Sequence, residues 1–305
     1  MYLGLFSKNS RRNIMKKLMT IMLSITLVFS LAACSDEGEN NDETIKLGYQ
    51  SWVDGIAMTH LTAAILQDEM GYETEITQAN LGPIFSDIAQ GNQDLMMHAW
   101  LPNTHASYEE QYSDDWEELG VSYEGARIGL VVPQYVDIDS ISELNANIDK
   151  FDSTIVGIET GAGIMQNANT AMDTYGLTDD GFELQASSGP AMVATLGDAI
   201  ENEDWIVVTG WTPHYKFARY DLKFLDDPEN VFGASDNIVS LGRDGFSEDH
   251  PEVAQMIDNI SLNDTQFGEL AGLIANDEDN TPYIEIARQW MAENEDVWQD
   301  WIPEE

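Results

Sequence analysis

Three tryptophans stand where an α/β chain would turn them toward a ligand. Trp52 follows the first strand candidate, while Trp100 and Trp211 each follow a short apolar run and begin similar phrases, Trp100-Leu101-Pro102-Asn103-Thr104-His105 and Trp211-Thr212-Pro213-His214. A single indole at a strand end more often packs over its own core, which is how Trp116 and Trp205 are read. Three in equivalent places, two of them followed by Pro and then His, point instead to the wall of a binding site. An indole face holds a quaternary ammonium through its quadrupole and dispersion, worth about 2 kcal/mol or more per desolvated face. Two or three faces would supply most of the roughly 8 kcal/mol of a micromolar site. A sugar could also stack on such rings, so the aromatics alone leave both open.

The second group is Glu159-Thr160-Gly161-Ala162-Gly163-Ile164-Met165, a glycine-rich turn between a strand and a helix. It reads equally well as an ordinary turn or as an anion cradle, because free N–H groups at a helix start attract a carboxylate and glycine lets a ligand approach the backbone. His105, five residues after Trp100, could donate to the same carboxylate. An aromatic cage and a carboxylate cradle on opposite lobes fit a zwitterion such as a betaine better than a sugar. Catalytic templates are missing: there is no GxSxG, HExxH, Walker A or complete GxGxxG phrase. The five histidines do not share a helix face at ligand spacing, so no metal or cofactor is expected; an enzyme that works through a pair of acids stays open, since such pairs do not stand out in so acidic a chain.

Positioning these residues requires an alternation of strands and helices. Thr44–Tyr49, Glu73–Thr77 and Asp94–Ala99 read as strands, with helices over Ile56–Met70 and Pro83–Gly91 between them. The pattern is β-α-β-α-β, which implies a parallel sheet with ligands at the carboxyl ends of its strands. Gly129–Pro133 is expected to cross to a second lobe. That lobe repeats the pattern with strands at Thr154–Ile158, Phe182–Gln185 and up to Gly210, and helices at Ile164–Tyr175 and Pro190–Ile200. Ile238–Leu241 is expected to cross back. Three helices, Pro251–Ile260, Asp264–Ala275 and Pro282–Trp301, then complete the first lobe, and Met172, Met192, Met256, Met291, Trp290, Trp298 and Trp301 fall at core spacings. The fold class is α/β with two lobes, each a mostly parallel sheet flanked by helices: lobe one is 44–132 and 238–305, lobe two 133–237.

The N-terminus sets the compartment. Arg11, Arg12, Lys16 and Lys17 precede an apolar run from Leu18 to Leu31 and then Ala32-Ala33-Cys34, which together read as a signal peptide over 1–33. Met15 is an alternative start. Cys34 is the single cysteine of the chain, which excludes an intrachain disulfide. Residues 34–43 are polar and acidic and read as a tether. The chain carries 13 Lys and Arg against 55 Asp and Glu. Five of those basic residues and no acids lie in 1–33, leaving 8 against 55, a balance of −47. Nucleic-acid binding is excluded by sign, and 43% hydrophobic residues exclude a disordered acidic chain. Acids coating an ordinary core suit a salty medium, where repulsion is screened. A calcium loop at Asn276–Asn280 lacks the required spacing.

Leu31-Ala32-Ala33-Cys34 resembles the bacterial lipobox, which implies lipid attachment to Cys34. Ala99–His105, Gly129–Tyr135, Gly161–Met165 and Gly210–His214 together resemble the substrate-binding lipoproteins of glycine betaine ABC importers, the OpuAC-like group, over roughly residues 45 to 301. The resemblance implies a type II periplasmic-binding-protein fold closing on its ligand in the interlobe cleft, and no enzyme activity. It also implies a permease with a cytoplasmic ATPase as partner and a place at the extracytoplasmic face of the membrane, held by the lipid. Position by position, it gives Trp52, Trp100 and Trp211 as the cage, Gly163 and Ile164 as backbone donors and His105 as side-chain donor. Tyr215 would shape the wall near Trp211. Alternatives on the same residues are carnitine, proline betaine or choline as ligand, a sensory or chemotactic receptor on the same fold, and an acidic extracellular hydrolase, which the missing motifs disfavour.

Overall fold

The computed structural model describes residues 41–304; the signal segment, Cys34 and the tether up to residue 40 lie outside them. Nine strands run β1 Asn41–Tyr49, β2 Tyr72–Gln78, β3 Leu95–Leu101, β4 Trp116–Pro133, β5 Thr154–Val156, β6 Glu183–Gln185, β7 Val207–Thr212, β8 Leu222–Phe224 and β9 Asp236–Arg243. The main helices are α1 Val53–Asp68, α2 Leu81–Ala89, α3 Ala106–Tyr112, α4 Gly163–Thr174, α5 Gly189–Glu201, α6 Pro251–Asn259, α7 Asp264–Ala275 and α8 Tyr283–Glu293. β1 begins at Asn41, so the last three residues expected in the tether belong to a strand. Their polar types carry no alternation to announce it.

Strand order is β2-β1-β3-β9-β4-β7-β5-β6, with β8 also on β4. β1–β3 and β7–β5–β6 are parallel, as βαβ connections require. Between them the pairs β3–β9, β9–β4, β4–β7 and β4–β8 are antiparallel. The join between the halves is therefore the long strand β4. Residues Trp116–Ala126 pair with β9, and Arg127–Pro133 pair with β7 and β8. This corrects two expectations. Gly129–Pro133 already lies in the second sheet, the change of partner coming at Ala126/Arg127. Ile238–Leu241 does not cross between lobes but sits inside the first sheet between β3 and β4.

Sequence chemistry explains the elements. α1 is apolar on every side and buried from Asp54 through Leu66, as a helix enclosed by sheet and neighbours must be. Gly71, at φ +73°, turns the chain into β2. Ser188 caps α5 by accepting from the Ala191 N–H, with Pro190 in the first turn. Asn263 and Gln266 form a reciprocal capping box at the start of α7. α7 and α8 pack on α1, and Arg288 of α8 grips the Asp68 carboxylate through Nε and Nη2 at 2.7 and 2.8 Å. The helix expected over Pro282–Trp301 is broken at Asn294, whose Nδ2 donates to the Trp290 carbonyl. Trp290, Trp298 and Trp301 are buried, as are Met172, Met192, Met256 and Met291.

Candidate functional site

Between the two halves lies a small cavity lined by the indoles of Trp52, Trp100 and Trp211, by Thr104 and His105 of the first lobe, and by Ala162, Gly163 and Ile164 of the second. All six residues singled out by sequence are thus brought to one place. Trp52 is the N-cap residue of α1. Trp100 and Trp211 lie inside β3 and β7, one residue before the strands end, rather than after them. Each is followed by a cis peptide, Leu101–Pro102 and Thr212–Pro213.

Two of the three lining indoles have an N–H partner in the opposite lobe. Trp52 Nε1 donates to Glu159 Oε2 at 3.0 Å, and Trp211 Nε1 donates to Asp54 Oδ2 at 3.2 Å. Both bonds run from one lobe to the other. Trp100 Nε1 lies against the His98 imidazole, 3.1 Å from Nε2, and His98 Nε2 lies 2.9 Å from Asp54 Oδ2. Burial would raise the Asp54 carboxyl, but His98, and more weakly His214, outweigh it and hold Asp54 below the usual carboxylate range.

The corner between Trp100 and His105 is pinned by Asp236. Its carboxylate accepts from the Asn103 N–H at 2.6 Å, the Asn103 Nδ2 at 3.0 Å, the Thr104 N–H at 3.1 Å and the Thr104 hydroxyl. His105 Nδ1 accepts the Trp100 backbone N–H at 2.9 Å, so the neutral ring carries its proton on Nε2. Burial, helped by nearby His98, pushes the His105 pKa down to about 3. His105 is therefore an uncharged donor across the physiological range.

Opposite stands the start of α4. The N–H groups of Gly163 and Ile164 are the first two of the helix and have no intrahelical acceptor. The Ala162 N–H instead closes the turn onto the Glu159 carbonyl at 2.9 Å. Gly163 meets the other lobe directly: a Cβ built there would sit 2.1 Å from the Thr104 carbonyl oxygen. Of the glycines in Gly161-Ala162-Gly163, the second is therefore fixed by close approach, while a Cβ at Gly161 meets nothing.

Sequence reasoning missed the polar floor of the site. Asp54, His98, His214 and Lys216 are all buried. Lys216 Nζ lies 4.0 Å over the Trp211 ring centroid and 3.4 Å from the Trp211 carbonyl. Burial drives its pKa down to about 7, Asp54 partly opposing. His214 Nδ1 accepts the Lys216 N–H at 3.1 Å, and burial, then Lys216, hold that imidazole well below its usual range. An acid in a helix's first turn and a lysine after a turn look like surface residues in sequence. Among the described residues, no group of three or more His, Cys, Asp or Glu is placed to hold a metal ion, and no helix is long and apolar enough to cross a membrane.

Comparison with known proteins bears on the family and the fold. Residues 43–293 match the family described as the substrate binding domain of ABC-type glycine betaine transport system. The glycine betaine/carnitine transport binding protein GbuC of Listeria monocytogenes is 42% identical over 153 residues, half of this chain and half of that protein; the match spans about half the length of this relative. The trimethylamine N-oxide-binding protein of Pelagibacter ubique is 22% identical over 93% of this chain and 98% of its own. Lactococcal OpuAC, in its closed-liganded conformation with glycine betaine, superposes with a TM-score of 0.79 at 32% identity, covering 86% of this chain and all of that one. ProX of Borrelia burgdorferi gives 0.80 at 32% identity, covering 86% and 97%. The fold is that of a type II periplasmic binding protein, and the chain belongs to the family of substrate-binding domains of ABC-type glycine betaine transport systems.

Proposed function

We propose that this protein captures glycine betaine, or a closely related zwitterionic quaternary ammonium compound, outside the cell membrane and delivers it to an ABC permease driven by a cytoplasmic ATPase. The observation that carries the reading is the convergence, in one cavity, of three indoles and an uncharged donor set of two free helix N–H groups and His105 Nε2. A trimethylammonium group cannot donate hydrogen bonds, so ring faces recognise it through cation–π attraction and dispersion. The carboxylate at the other end takes the N–H groups of Gly163 and Ile164 and the His105 proton. A neutral donor suits this role because it asks for no counter-charge in a buried site.

Trp52, Trp100 and His105 belong to the first lobe, and Trp211, Gly163 and Ile164 to the second, whose sheet β4 enters at Arg127. A ligand therefore gains both ends of its recognition only when the lobes close, which makes closure the signal for delivery. Anchoring by lipid on Cys34, after removal of residues 1–33, would keep the protein beside its permease. Choline lacks the carboxylate and should bind more weakly than the betaines. The test is calorimetric titration of the mature domain, in high salt, with glycine betaine, proline betaine, carnitine and choline. Micromolar or tighter binding of a betaine supports the reading, and absence of heat with every quaternary ammonium compound overturns it.

A further inference from the structure

Trp52 stands between two cavities. It lines the cage, and it also lines a larger, polar chamber of about 470 Å³ whose walls include Gln50, Ser51 and Asn80 from one lobe and Glu159 and Ser187 from the other. Together with Ala162, which also lines both, the indole separates the cage from the chamber. Its own lobe does not fix its N–H. The Glu159 carboxylate does so from across the cleft, accepting from Trp52 Nε1 at 3.0 Å while its second oxygen meets Ser51 Oγ at 3.4 Å.

Glu159 is also tied to the anion cradle. Its backbone carbonyl closes the turn by accepting the Ala162 N–H, and that turn ends at the free donors of Gly163 and Ile164. The position of the carboxylate is therefore coupled to the loop that would hold the ligand's carboxylate. The half-buried site strengthens a charge-assisted bond relative to an exposed one. When the lobes part, this bond must break, and Trp52 is released from the partition.

We propose that Glu159 is a positioning residue that acts through Trp52: its carboxylate locks the indole across the cleft in the closed form and so sets how slowly the ligand leaves. This rests on the reading of the cage as a quaternary ammonium site. The alternative role for an acid at this place, drawing a cation in by its charge, would act on the association rate and on its salt dependence. The latch acts on dissociation.

Stopped-flow kinetics with glycine betaine on the mature domain separate the two. Glu159→Leu removes the acceptor, Trp52→Phe keeps a ring face but removes the donor, and Glu159→Gln keeps a neutral acceptor. The expected result is a dissociation rate raised about tenfold in Glu159→Leu and in Trp52→Phe. The double variant should be no worse than the single ones, association should stay within about threefold, and Glu159→Gln should restore part of the loss. Unchanged dissociation, additive effects in the double variant, or a loss confined to salt-sensitive association overturns the latch. If the wild-type protein binds no quaternary ammonium compound, the ligand reading fails and the latch is judged on the ligand-free protein by the distance between spin labels on the two lobes. A shift toward the open distance in Glu159→Leu then supports it, and an unchanged distribution overturns it.

Discussion

Gly163→Ala is the sharpest perturbation of the proposed site, because one methyl group tests closure while leaving each lobe intact. Gly163 is the first residue of α4 and does not need the left-handed region that alanine avoids, so α4 itself tolerates the change and alanine suits a helix. The conflict lies across the cleft. The new Cβ would stand 2.1 Å from the Thr104 carbonyl oxygen and 2.8 Å from Thr104 Cγ2. Thr104 cannot give way, because Asp236 holds both its N–H and its hydroxyl. The lobes must therefore stay apart by about an ångström or more at this point, judged from ordinary contact distances. A gap of that size stretches the bonds that a bound carboxylate would make to the Gly163 and Ile164 N–H groups. Hydrogen bonds to a charged group are worth roughly 1.5–3 kcal/mol each. Losing the equivalent of one to two gives about 3 kcal/mol, or around a hundredfold in affinity. Calorimetric titration with glycine betaine measures this, and thermal unfolding of the ligand-free variant should stay within a few degrees of wild type. Binding within about threefold of wild type would refute the argument that Gly163 exists for close approach of the lobes.

Three further predictions follow from other residues. Trp100→Ala should weaken betaine binding at least tenfold by calorimetry; unchanged affinity would make Trp100 a packing residue. Asp236→Ala leaves the Asn103 and Thr104 N–H groups without their acceptor and should cost about 2–4 kcal/mol in denaturant unfolding as well as weaken binding; a loss under about 0.5 kcal/mol would show that the corner holds without it. Lys216→Met should stabilise the fold at neutral pH by up to a few kcal/mol. The sign follows from a folded pKa of about 7 against the ordinary 10.5. Below about 7 both folded and unfolded chains carry the charge and the folded one bears the full burial cost. Between 7 and 10.5 the folded amine is neutral while the unfolded one still binds its proton, so wild-type stability gains with pH. The advantage of Lys216→Met in thermal unfolding should shrink over that range; a pH-independent difference would refute the burial argument.

The order of elements was legible because short apolar strands alternate with helices that carry their own stop and start signals, such as Gly71 after α1 and Ser188 before α5. The crossing between the halves was not. Its first part, Trp116–Ala126, is half exposed and interrupted by three register shifts, at Glu118/Gly120, Val121/Tyr123 and Glu124/Ala126. Each shift breaks the period of two on which recognition of a strand depends. Trp52, Trp100, Trp211 and His105 stood out in the sequence because their residue types are rare and sit at strand ends. Asp236 could not, since it meets Asn103 and Thr104 across more than 130 residues of sequence. Asp54, Glu159 and Lys216 were hidden for a different reason. In a chain with 55 acids one more carboxylate is unremarked, and a basic residue after a turn carries no sign that its ammonium will be buried.

The charge of the whole chain and the charge of the site are set independently. A formal charge of −42 would draw any cation toward the surface, yet selection for a betaine over a simple cation requires that the pocket itself not be an anion. The floor of the cage meets this by placing an acid and an amine together. Asp54 is ionised through its pairing with His98, and Lys216, on the border of protonation at neutral pH, lies over the Trp211 ring without lining the cavity. The ammonium covers one face of the Trp211 ring. On the proposed reading, attraction for a trimethylammonium group would come from the ring faces, and little ordering would remain to be done on binding. A net-neutral zwitterion then gains at both of its ends, whereas a cation lacking a carboxylate gains at one and leaves the N–H groups of Gly163 and Ile164 unfilled.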